Sequence, residues 1–328
     1  MYKSATMVLC GLLLGAVGGC AGGGGGGSGT SAPQPVTISS SNAKAIASAV
    51  LVSSLEGTDL STYTPTGAPT STSPKPTAQL YSKIASVKAA ETTSLIEQSQ
   101  AGYMQASVPG NTTCSAGGSV ALSSGVASQT TLTVGDTVTL TFTSCNDGTT
   151  LIDGELKMQV KSFSGDFASG LYSLGVDVTV TNFSVTENGK TATANGDISL
   201  LADTTQSPSI HVTVTGNSLS VTAAGATDTL SKYSLMLVAD TVGNTYSVDA
   251  SGTLTSSAFD GSVSFTTQTK LVGTGTGYAS SGELLITGAN GGTIHVVVLD
   301  GTNVRLECDF NGDGQVDQVI DSTWADLT

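Results

Sequence analysis

The sequence predicts a mainly β protein: a large antiparallel meander curled into a barrel, half-barrel or sandwich, with two N-terminal helices packing on it. Three observations predict it. Apolar residues recur with period two from Ser119 to Leu306, the signal of strands with one buried face. Turn dipeptides punctuate the runs. No helix-period stretch separates the runs, which argues against a parallel α/β sheet.

The alternation is explicit. Val138, Leu140 and Phe142 interleave with Thr137, Thr139 and Thr141. Leu156, Met158 and Val160 interleave with Lys157, Gln159 and Lys161, and Val176, Val178 and Val180 with Asp177, Thr179 and Thr181. Ile210, Val212 and Val214 continue the pattern, as do Val263 and Phe265, Leu284 and Ile286, and Ile294, Val296 and Val298. Asp153-Gly154, Asn188-Gly189, Asn195-Gly196, Asp260-Gly261 and Asp300-Gly301 read as hairpin turns. About a dozen strands in one sheet must curl or split.

The chain before the sheet divides into three parts: residues 1–19, 20–40 and 41–105, with the β-domain at 106–328. Residues 1–19 read as an export leader. Lys3 gives a positive start, and the apolar run Met7 to Val17 is too short to span a bilayer. Val17-Gly18-Gly19-Cys20 resembles the lipobox of bacterial lipoproteins. That resemblance implies cleavage before Cys20, lipidation of its thiol and acylation of its amine. Several acyl chains hold a protein on a membrane where one does not. An ordinary secretory leader with a chance cysteine is the alternative, and the glycine run directly behind Cys20 favours the anchor. Ala21 is not the Asp that retains such proteins at the inner membrane of Gram-negative bacteria, so for a Gram-negative source the resemblance implies the outer membrane.

Residues 20–40 contain six consecutive glycines, a flexible tether. Asn42 to Leu55 reads as a helix capped by Ser41 or Asn42. A Thr/Ser/Pro-rich loop follows, and then a second amphipathic helix over Thr77 to Gln98, with Leu80, Ile84, Val87, Glu91 and Leu95 on one face, only Glu91 being polar. This helix is expected to lie on the sheet as a lid.

Composition excludes some partners. The 328 residues carry a net charge of −14 with only 11 Lys and Arg, which offers no footprint for nucleic acid. Aromatics are 5 %, so no aromatic girdle of an outer-membrane barrel is present. Of five cysteines, Cys10 leaves with the leader and Cys20 is the anchor. Cys114 and Cys145 are the expected disulfide in an oxidising compartment. Cys308, in phase with Val304 and Leu306, then reads as a buried thiol, with pairing to Cys114 or Cys145 as the alternative.

The sharpest chemical signal is Asp309-Phe310-Asn311-Gly312-Asp313-Gly314-Gln315-Val316-Asp317. It looks like the Asp-x-Asn-x-Asp-Gly calcium loop of EF-hands and dockerins, which implies Asp309, Asn311, Asp313, Gln315 and Asp317 as candidate ligands and Gly314 as the sharp turn. Crowded carboxylates need a cation to offset their repulsion, so a structural Ca²⁺ is expected. The loop departs from the family at position twelve, where Ile320 replaces Glu; Asp321 is one residue late. An Asn/Asp/Gly-rich turn between strands is the alternative. Strand phase from Val304, Leu306 and Cys308 puts Asp309 outward, where an ion could reach it.

No catalytic constellation emerges. His211 and His295 sit singly within strands, and no Gly-x-Ser-x-Gly elbow, zinc spacing or phosphate loop is present. The whole pattern resembles bacterial lipoproteins with a lipobox, a Gly-rich tether, a Ser/Thr-rich β-domain and a terminal acidic loop. The expected function is therefore a lipid-anchored envelope protein of binding or structural type that meets an envelope protein. A carrier of a hydrophobic ligand such as lipid, held in a cupped sheet under a helical lid, is the second reading. An envelope-acting hydrolase comes third.

Overall fold

The computed structural model describes residues 33–55, 110–126, 132–166, 169–275 and 277–328. The leader, Cys20, most of the tether and the Thr77 to Gln98 helix lie outside the described residues. So does the Thr/Ser/Pro-rich loop. The β-domain forms as expected.

Fourteen strands follow in chain order. The first seven are β1 (Gly110–Thr113), β2 (Ser119–Gly125), β3 (Thr137–Asn146), β4 (Thr150–Asp166), β5 (Leu171–Glu187), β6 (Lys190–Asp203) and β7 (Ser209–Ala223). The rest are β8 (Ala226–Asp240), β9 (Thr245–Ser256), β10 (Gly261–Thr274), β11 (Ser281–Thr287), β12 (Thr293–Val298), β13 (Asn303–Asp309) and β14 (Gln318–Thr323). Spatial order equals sequence order, and each neighbouring pair is antiparallel. β1 and β14 do not pair, so the sheet is open. A closed barrel is thereby excluded, and a single open meander stands.

Two of the expected hairpin dipeptides are not turns. Asp153-Gly154 lies within β4 and Asn195-Gly196 within β6. They build bulges instead. Ser144 in β3 and Asn182 in β5 have left-handed φ of 46° and 47° inside their strands. The Ser144 N–H donates to Asp153 Oδ1 at 2.6 Å, and the Asn182 N–H to Asn195 Oδ1 at 2.7 Å. Register shifts at both places. The series continues one strand on, where Asp197 accepts from the N–H groups of Asn217 and Ser218 in β7.

Gly154 and Gly196 are required by this arrangement. A Cβ on Gly154 would lie 2.2 Å from the Asn182 carbonyl oxygen, and one on Gly196 2.2 Å from that of Ser218. Bulges bend a strand and increase its twist, and aligned bulges curve a sheet. They are how a sheet this wide escapes a flat plane. Asn188-Gly189, Asp260-Gly261 and Asp300-Gly301 do mark strand connections, as expected.

One face of the sheet carries the core. Val138, Leu140, Phe142, Leu156, Val178, Val180, Phe183, Ile198, Val212, Leu235, Leu254, Leu284, Val296 and Leu306 belong to one buried cluster. Helix α1 (Ala43–Leu55) lies on that face against β9, β12 and β13. Its Ile46, Ala47, Val50 and Leu51 are fully buried. The Asn42 side chain braces the loop ahead of the helix, accepting from Ser39 N–H and donating to Thr37 O. A second helix, α2 (Trp324–Leu327), ends the chain. Trp324 and Leu327 are both buried in this turn, with indole Nε1 donating to Ala279 O at 3.0 Å. Ser48 of α1 donates to Leu327 O, joining the two helices.

The two ends of the sheet differ. At one end the odd-numbered strands from β3 to β13 finish. The N-terminal segment enters here: Val36 N–H donates to Ser262 O at the start of β10, and Ala289 N–H to Val36 O. Gly261 and Gly288 leave room for it, since a Cβ on Gly288 would lie 2.4 Å from Val36 O. We call this the entry end. The even-numbered strands from β4 to β14 finish at the far end.

Candidate functional site

The acidic loop sits at the entry end, between β13 and β14. Asp309 is the last residue of β13 and is buried, only 7 % exposed. This corrects the outward placement expected from strand phase. The phase itself holds: Val304, Leu306 and Cys308 are buried, and Arg305 and Glu307 are half-exposed. The difference is made by the loop, which folds back over the Asp309 carboxylate. Oδ1 accepts from the N–H groups of Asn311 (3.2 Å) and Gly312 (2.7 Å), and Oδ2 from that of Gly314 (2.7 Å).

The remaining oxygen side chains brace the same loop. Asn311 Oδ1 accepts from Asp313 N–H and Asp313 Oδ1 from Gln315 N–H, both at 2.8 Å. Asp317 Oδ2 accepts from Phe310 N–H at 2.8 Å, closing the loop across its mouth. Gly312 and Gly314 take left-handed φ of 76° and 83°. Gly312 rests on the turn Ala289–Gly291 between β11 and β12, where a Cβ would lie 2.6 Å from Asn290 O. Burial by itself would raise the Asp309 pKa. The backbone N–H donors of Gly314, Gly312, Asn311 and Asp313 together outweigh it and hold the carboxyl below its usual range.

These residues fit calcium in part. The donors are hard oxygens, each with lone-pair capacity beyond its N–H bond. Gly314 makes the sharp turn expected at position six. Asp309, Asn311, Asp313 and Asp317 come together in one hydrogen-bonded loop, whereas Gln315 is exposed and engages through its N–H. Among the described residues no three His, Cys, Asp or Glu side chains converge on an ion-sized space. Asp321 is committed elsewhere: it faces Arg305 across β13 and β14, with Oδ1 2.9 Å from Nε. It leaves the position-twelve ligand unfilled.

Cys114 and Cys145 are joined, with Cα atoms 5.4 Å apart. The bond ties the β1–β2 connection to the end of β3. Cys308 is a free, buried thiol whose pKa is pushed up to about 11 by burial. The two histidines are far apart in the topology. His211 on β7 is paired across strands with Asp203 and Val238, and His295 on β12 with Leu285 and Glu307. Sequence reasoning missed the bulge-capping roles of Asp153, Asn195 and Asp197. The signal was present: apolar alternation keeps its phase through Asp153-Gly154, from Ile152 to Leu156, and through Asn195-Gly196, from Ala194 to Ile198.

Comparison with protein-family models, with curated proteins and with solved structures found no match.

Proposed function

We propose that the chain is a lipid-anchored protein of the cell envelope, of binding or structural type, held through Cys20 in the outer membrane, with Ca²⁺ steadying its acidic loop. The observation that supports this reading best is the route of the chain into the sheet. Gln34 to Val36 is hydrogen-bonded to Ser262 and Ala289 at the same end that carries the acidic loop. A body tethered there keeps its entry end toward the anchoring membrane and presents its far end to a partner. A calcium ion would offset the mutual repulsion of Asp309, Asp313 and Asp317, and the loop's own N–H bonds would orient the oxygens toward it. No helix among the described residues is long and apolar enough to cross a membrane.

A second reading, a carrier of a hydrophobic ligand, draws support from the open sheet with a helix on its buried face. Ile46, Val50 and Leu51 of α1 are themselves fully buried.

Two measurements separate these readings. Lipid extraction and mass spectrometry of the purified protein should find no stoichiometric ligand if the first reading holds; one bound lipid per chain would favour the carrier. Melting in calcium and in chelator should differ for the native chain and not for Asp313→Ala. An identical melt in both conditions, for both proteins, would remove calcium from the account.

A further inference from the structure

A cleft opens at the far end of the sheet, with a volume of about 390 Å³. Three connections meet around it: β4 to β5, β6 to β7, and β8 to β9. Leu171, Pro208 and Ile210 give it an apolar wall, and Ser207 and Ser209 add hydroxyls. None of its lining residues carries a charge.

Threonine hydroxyls fasten the three connections together. Thr204 Oγ1 accepts from Tyr172 N–H at 2.9 Å and donates to Gly170 O at 2.7 Å, linking the β6 end to the start of β5. Thr241 donates from both its N–H and its Oγ1 to Pro208 O, linking the β8 end to the β6–β7 connection. The cleft is therefore held in shape before any ligand arrives, which lowers the ordering cost of binding. The hydroxyls of Ser207 and Ser209 make no hydrogen bond to another described residue, so they are open to a ligand.

Exposed apolar side chains also gather at this end. Leu171 on the cleft wall is 44 % exposed, and Val242, next to Thr241, is 82 % exposed. Two carboxylates stand beside the lining: Asp203 caps the turn at Thr205, and Asp240 the turn at Val242 and Gly243. Their charge opposes an anion. A bare acyl chain would bury the free serine hydroxyls without partners, a cost that a hydroxylated ligand avoids.

We propose that this cleft is a binding site for a neutral saccharide unit, presented at the end of the sheet opposite the chain's entry. The C–H face of a sugar ring lies on Leu171, Pro208 and Ile210, and its hydroxyls bond Ser207 and Ser209. The volume falls within the range of small-ligand sites, about 300–1,000 Å³. The proposal does not depend on the lipid anchor.

The test is titration of the isotope-labelled full-length mature chain, followed by NMR, with chitobiose and with maltose. Glucose 6-phosphate serves as the anionic probe and N-phenyl-1-naphthylamine as the neutral apolar one. At least one neutral disaccharide should shift resonances at 169–172, 204–210 and 241. The double variant Ser207→Ala/Ser209→Ala should bind it about tenfold more weakly, as for loss of one or two hydrogen bonds. Leu171→Asp, at an exposed position, should weaken it as well and gives a second variant if the first folds poorly. No shift with either disaccharide, a response only to the apolar or the anionic probe, or undiminished affinity in the folded variants would overturn the proposal.

Discussion

Phe142 and Phe183 meet edge to face above Gly154, their ring centroids 5.7 Å apart and their planes at 76°. Gly154 is the cross-strand partner of Phe142, and a Cβ there would press on the backbone of Asn182 and Phe183 in β5. The same residue has φ of 103° and backs onto the bulge at Asn182. One position thus joins the bend of the sheet to the packing of its core.

Gly154→Ala should therefore cost much more than a glycine substitution in an open turn. Backbone strain and the clash with Asn182 O together predict about 2–4 kcal/mol. Gly148→Ala has a comparable φ of 103° but nothing within 4 Å of its Cβ. It should cost about 1 kcal/mol. Urea unfolding of the two variants side by side checks the contrast.

Removing the Cys114–Cys145 bond should lower stability by about 3–4 kcal/mol, the loop-closure effect for a separation of 31 residues. Native protein should not react with a thiol reagent at Cys308 until it unfolds. Because burial raises this thiol from 9.0 to about 11, its contribution to stability is present below pH 9 and is lost as the pH rises toward 11. Urea midpoints at pH 8 and pH 10.5, for native protein and Cys308→Ala, should show a smaller alkaline loss in the variant.

Asp309 predicts the opposite limb. Its folded pKa lies below the ordinary carboxylate value, so its contribution is present above that value and is lost as the pH falls through the folded one. Asp309→Asn should lower stability at pH 7 and reduce the further loss between pH 5 and pH 2. An acid limb identical to that of the native chain would show that the loop's hydrogen bonds do not act through this carboxylate.

The strands were legible because alternation is explicit in short runs: Val138, Leu140 and Phe142 on β3, Val212 and Val214 on β7, Leu284 and Ile286 on β11, Val296 and Val298 on β12, and Val304 and Leu306 on β13 are all buried and two residues apart. Closure was not legible, since whether β1 meets β14 depends on accumulated twist and bend, which period two does not encode. The bulges were misread for a related reason. Asp-Gly and Asn-Gly supply a left-handed backbone and a short acceptor, and both a hairpin turn and a mid-strand bulge use them. The phase kept from Ile152 to Leu156 distinguishes the two. The acidic loop was found by its spacing, but the burial of Asp309 was not, because three N–H donors from residues after the strand decide it. The cleft at Tyr172, Thr204 and Thr241 joins connections more than thirty residues apart, and no local pattern marks it.

The most direct test of the account is the intact mass and N-terminus of the protein recovered from membranes. The anchored reading predicts a mature chain beginning at Cys20 and carrying the mass of three acyl chains on a glyceryl cysteine, with Cys20→Ala found in the soluble fraction. A mature chain with an unmodified Cys20, or one beginning elsewhere, would contradict it.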